Sequence, residues 1–154
     1  MRFNLKKSNC NNIEIIDSPI ASKDGEIINF GTNSFLNNAS FGDSTSQIQT
    51  KDSIDSKKLI TTSIHKILDV AGRDTVSFIK VDIEGGEETI LTGLFEECFN
   101  NNYKLFLSFH YDWWQDKNLE RYRKLFESAK STSANGDIIE FIKKHPMGDI
   151  YFEF

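Results

Sequence analysis

The stretch Phe78-Ile79-Lys80-Val81-Asp82-Ile83-Glu84-Gly85-Gly86-Glu87-Glu88-Thr89-Ile90-Leu91-Thr92-Gly93 decides the fold. With Val76 ahead of it, Phe78, Ile79, Val81 and Ile83 form a nearly continuous β-branched and aromatic run, the pattern of a parallel strand buried on both faces. A polar turn with two glycines follows. Ile90, Leu91, Leu94, Phe95 and Cys98 then recur at helical spacing. Glu87 and Glu88 fall in the first turn of that helix, where the macrodipole favours negative charge, and are read as dipole partners.

The same alternation extends both ways from this unit. Downstream, residues 105–109 (LFLSF) read as a second buried strand ending in His110-Tyr111-Asp112-Trp113-Trp114. A helix is expected from about residue 118 to 129 on Leu119, Tyr122, Leu125 and Phe126. A short helix on Ile138, Ile139 and Ile142 closes at His145-Pro146, and residues 149–154 alternate in polarity as a last strand. Upstream, Ser63 opens a helix on Ile64, Ile67, Leu68 and Ala71 that Gly72 stops. Residues 13–17 read as a short strand, and Lys23-Asp24-Gly25 as the turn feeding another. Between the halves, residues 29–58 are rich in Asn, Ser, Thr and Asp and read as a long surface excursion. This order of elements predicts one α/β domain over residues 1–154 with a mostly parallel sheet. In such sheets ligands bind beyond the carboxyl ends of the strands, where both polar clusters fall.

Composition narrows the function classes. With 154 residues, 38% hydrophobic content and thirteen Phe, the chain can bury a real core. Two cysteines, Cys10 and Cys98, are too few for a disulfide framework and lack zinc-site spacing, which fits a reducing compartment and a cytoplasmic location. A net charge of −5 with scattered Lys and Arg argues against nucleic acid, and no apolar run is long enough for a membrane span. The expected partner is a small molecule or another protein.

Strand order brings Asp82, Glu84 and His110 to one edge of the sheet, and the two glycines permit close approach of a ligand or backbone. The plainer reading is that acids at a strand-to-helix junction serve as caps, that a lone histidine is structural, and that at least one of Trp113 and Trp114 only packs. A reading from another reaction class takes Asp82, Glu84 and His110 as oxygen and nitrogen ligands of a metal-dependent hydrolase.

FIKVDIEGGEETILTG closely resembles the signature of the FkbM-type methyltransferases, in which a hydrophobic strand ends in Asp-(Ile/Val)-Glu-Gly-x-Glu before a helix. Residues 4–12, the segment NIEIIDSPIASKDGEI, the Thr/Ser segment entering residues 59–68, and LFLSFH are also similar to that family. The resemblance implies a Rossmann-like class I fold and an S-adenosylmethionine-dependent methyltransferase, commonly methylating a hydroxyl of a sugar or natural product. Methyl transfer from a sulfonium needs an in-line oxygen nucleophile, an acceptor for its proton, and acidic surroundings that suit a cationic donor. Asp82, Glu84 and His110 are the implied catalytic residues. His110 is expected to orient or deprotonate the hydroxyl. Asp17, Ser18, Asp82 and Gly85 are the implied cofactor contacts, and no metal is expected.

Two departures qualify this. Where the family often has Leu-Asp, this chain has Ile64-His65. The glycine-rich turn that grips the cofactor in this fold should precede residue 1, so the chain is expected to be N-terminally truncated, the last two thirds of the domain. The expectation that follows is an exposed sheet edge, met by self-association or by a partner supplying strands, and the alternative function is a non-catalytic remnant or partner-completed module of the same fold.

Overall fold

The computed structural model describes residues 12–32, 46–49 and 56–154. The similarity to a family helix at residues 4–12 and most of the polar excursion at 29–58 lie outside them. Three strands, β1 (Ile27–Thr32), β2 (Ser46–Gln49) and β3 (Ser56–Ile60), form an antiparallel sheet in the order β2-β1-β3. Helix α1 (Ile64–Ala71) leads through a 3-10 turn (Arg73–Thr75) to β4 (Phe78–Val81), α2 (Glu87–Asn101) and β5 (Lys104–His110). A 3-10 turn (Tyr111–Trp113), a second (Leu119–Tyr122), α3 (Arg123–Phe126), β6 (Ser131–Thr132), α4 (Ile138–Lys144) and β7 (Met147–Glu153) complete the chain. The second sheet has the order β4-β5-β7-β6.

The domain is α/β, but its sheets are not mostly parallel. Among the described residues only the β4–β5 ladder, with Val81 opposite Leu107, is parallel; β5–β7, β6–β7, β1–β2 and β1–β3 are antiparallel. The cause is topological. β7 returns from α4 between β5 and β6, running against β5 from Lys104↔Glu153 to His110↔Met147, although helices intervene in sequence. Nor is β4 covered on both faces. Val81 is buried, but Phe78 is half exposed, because β4 pairs with β5 alone among the described residues.

Residues 13–17 form no strand, and Ile13 and Ile16 are exposed. The chain first joins a neighbour at the parallel bridge Ile20↔Thr62. There the buried Thr61-Thr62-Ser63 segment anchors the Lys23-Asp24-Gly25 turn. Gly25 N donates to Thr61 O, Thr61 Oγ1 to Lys23 O, and Ser63 N to the Asp24 carboxylate. Ser63 also caps α1 by accepting from Lys66 N.

The core lies between α2 and one face of the second sheet. Leu91, Leu94, Phe95 and Cys98 are fully buried, and β5 and β7 contribute Leu105, Leu107, Phe109, Ile150 and Phe152 at alternate positions. Phe95 sits at its centre, edge-on to Phe126, Phe152 and Phe154 at centroid distances of 5.6, 5.0 and 5.4 Å. Burial pushes the Cys98 thiol up to about 12, so it packs as a small apolar group. The helix expected near residues 118–129 is instead a 3-10 turn running into the single turn α3, which still buries Leu119, Tyr122 and Phe126. No helix among the described residues is long and apolar enough to cross a membrane.

A buried ion cluster clamps α1 to α2. Glu97, 6% exposed, bonds His65 Nδ1 and Arg73 Nη1, while Arg73 Nε donates to Asp69 at 2.8 Å. His65, which stands where the family often has an acid, is thereby committed to this clamp. Burial works to raise the Glu97 carboxyl, but the hydrogen bonds from Arg73 and His65 outweigh it and hold the group below its ordinary 4.5.

Two outcomes follow from this packing. Phe95→Ala lowers unfolding free energy by about 3–5 kcal/mol in urea titrations, the cost of a large cavity that the surrounding rings cannot close. Because the folded Glu97 value is depressed, its contribution is complete above pH 4.5 and disappears as pH falls through the lower folded value. The stability gap between wild type and Glu97→Gln therefore narrows in urea titrations run at increasingly acidic pH below about 4.5.

Candidate functional site

β4 and β5 run parallel and end side by side, so the turn after β4 and the loop after β5 face each other. The first turn is tight. Glu84 (φ 55) and Gly85 (φ 92) are both left-handed, and a Cβ on Gly85 would meet the Trp113 Cβ at 3.0 Å. Glycine is needed there on both counts. A left-handed glutamate costs free energy, and it is held by what comes next.

That hold is the side chain of Glu87, the first residue of α2 and completely buried. Its Oε1 accepts Ile83 N–H at 3.1 Å and lies 3.0 Å from His110 Nδ1; its Oε2 accepts Gly85 N–H at 3.0 Å and Trp114 Nε1–H at 3.3 Å. One carboxylate thus closes the β4–α2 turn and ties it to the end of β5. Glu88 adds a second tie, accepting Gln115 N–H at 2.7 Å and Asp116 N–H at 2.9 Å. Both acids do more than complement the helix dipole. They weld two loops together, which a reading by helix position missed; the one local signal was a glutamate directly after two glycines.

A carboxylate surrounded by donors only accepts, so Nδ1 of His110 carries a proton and donates to Glu87, which leaves Nε2 turned away from that carboxylate. Trp113 stacks on the ring at 5.2 Å and 13° between planes, remaining 39% exposed. Trp114 is buried, edge-on to Tyr111 and Tyr122. Nε2 faces Glu84, with Oε2 3.7 Å away. One donor atom each from Asp82, Glu84 and His110 lies within 4.8 Å of the others. The two carboxylates are exposed and His110 is nearly covered. Lys80 Nζ lies 3.3 Å from Asp82 Oδ2 at the outer rim.

The residues singled out as cofactor contacts are less well gathered. Asp82 and Gly85 lie in the turn just described, but the space over Gly85 is filled by Trp113. Ser18 Oγ donates to Ile60 O, which ties it to the end of β3, and Asp17 beside it stands in exposed irregular chain. Among the described residues no hydrogen bond joins Ser18 to the Asp82 edge.

Replacing Glu87 tests the weld directly. Glu87→Ala strands four donors in a buried space and lowers stability by about 3 kcal/mol or more, with a shift in indole fluorescence from Trp113 and Trp114. Glu87→Gln, which keeps one acceptor oxygen, loses less.

A family model described as "Methyltransferase FkbM domain" matches residues 3–146 of this chain. No curated protein and no solved structure matches it. The matched region takes in the β4–α2 turn with its Asp-Ile-Glu-Gly-Gly-Glu sequence, the loop after β5 and the helices that support them. The chain belongs to the FkbM methyltransferase domain family.

Proposed function

We propose that residues 1–154 act as a single domain of an S-adenosylmethionine-dependent O-methyltransferase whose acceptor is a hydroxyl on a sugar or natural-product-like small molecule. Family membership supports methyl transfer, and enzymes of this kind generally use S-adenosylmethionine. The observation that carries the assignment of the site is the Glu87–His110 pair. It fixes the ring so that Nε2 lies at the carboxyl edge of the sheet, beside two exposed carboxylates. An acceptor hydroxyl entering this edge donates its hydrogen bond to Nε2 and is oriented by it.

The described residues fit the cofactor in part. Asp82 and Glu84 supply a negative field that suits a sulfonium.

Calorimetric titration of the purified chain with S-adenosylmethionine is the direct test, followed by transfer of labelled methyl to a panel of polyhydroxylated acceptors. Saturable binding is expected, with the affinity reduced several-fold in Asp82→Asn. His110→Ala is expected to lower transfer by about 10²-fold or more while leaving cofactor binding intact. A folded His110→Ala protein that transfers methyl at the full rate removes the histidine from the reaction.

A further inference from the structure

Three acceptors converge at the end of β4 and β5 with little described to neutralise them. Asp82 and Glu84 each bring a carboxylate, and His110 brings Nε2, the ring nitrogen that the Glu87 bond to Nδ1 does not engage; one atom from each lies within 4.8 Å of the others. Among the described residues the cation paired with them is Lys80, itself exposed, with Nζ 3.3 Å from Asp82 Oδ2. Acceptor facing acceptor is an unfavourable arrangement until something positive fills the space.

A second feature points the same way and is independent of the acids. A histidine that binds a metal ion through one nitrogen characteristically donates the other N–H to a carboxylate, which fixes the tautomer and makes the ligand more basic. Glu87 does this for His110 from a position wholly shut off from solvent, and it is itself locked by Ile83 N–H, Gly85 N–H and Trp114 Nε1–H. Trp113 stacked on the ring prevents its rotation. The nitrogen is therefore preorganised, while the two carboxylates, on exposed and adjustable side chains, can close on an ion by rotation to the roughly 2.1 Å that a small divalent cation requires.

We propose that Asp82, Glu84 and His110 form a divalent-cation site, with one nitrogen and two oxygen donors on one side of the ion and its remaining positions open to solvent. Such a mixed donor set suits a first-row ion of the manganese or iron(II) type, carboxylate oxygens favouring Mn²⁺ and the imidazole tolerated by it. The site stands on the geometry alone. Its part in methyl transfer rests on the function proposed above: with an ion bound, coordination of the acceptor hydroxyl to the ion would replace its direct hydrogen bond to Nε2, and the coordinated hydroxyl would lose its proton to solvent more readily.

The test is titration of the full chain with Mn²⁺ in the absence of S-adenosylmethionine, read by loss of the free-ion paramagnetic resonance signal and by calorimetry. One saturable site per chain is expected. Asp82→Asn and Glu84→Gln, both on exposed side chains, weaken it by about tenfold or more, and His110→Ala abolishes it, with circular dichroism verifying that each variant is folded. Absence of saturable binding to the folded wild type overturns the proposal, and so does equal affinity in Asp82→Asn. A parallel S-adenosylmethionine titration separates the two ideas. Cofactor binding without Mn²⁺ binding overturns the ion site and leaves the methyltransferase reading, whereas Mn²⁺ binding without cofactor binding does the reverse.

Discussion

The buried carboxylate of Glu87 is the constraint on which the functional edge depends. It accepts from two backbone N–H groups of its own turn and meets two rings from the loop after β5. A buried charge is tolerated only when its hydrogen-bonding capacity is filled, so each of these partners holds the others in place. The left-handed Glu84, the approach of Gly85 to Trp113 and the orientation of His110 Nε2 toward Glu84 all accompany that one filled group.

Behind this edge, packing supplies the rigidity. Phe95 lies between α3, β7 and the chain end, and the Glu97 cluster fastens α1 to α2 from the other side. α2 is therefore held along its length, and its first residue can serve as a fixed point for two loops. The rest of the site is open. Asp82, Glu84 and Trp113 stand exposed on a scaffold that is not, a division that suits binding of a small polar ligand.

Elements governed by local rules were legible. Ser63 and Gly72 bound α1 because capping and left-handed termination are short-range effects. The apolar spacing in α2, β5 and α4 matches their buried faces because the helical and strand periods are local properties. Pairing was not legible. β7 lies antiparallel between β5 and β6, β4 is covered by one neighbour only, and residues 13–17 form no ladder, each outcome depending on which segments meet in space. The strands β2 and β3, in and beside a polar stretch, were hidden because their stabilising partner β1 is distant in sequence.

The residues at 78–93 carried the family resemblance and the strand–turn–helix unit and placed Asp82 and Glu84 at a strand end, as residues 105–109 did for His110, since periodicity and turn chemistry act over a few positions. Only the tertiary structure decided what those groups face. Glu87 meets His110 and Trp114 across separations of 23 and 27 residues, and no local rule sets such a contact. Hydrogen bonds act over about 3 Å, so their partners are chosen by how β4, β5 and α2 pack, and that packing is a property of the whole core.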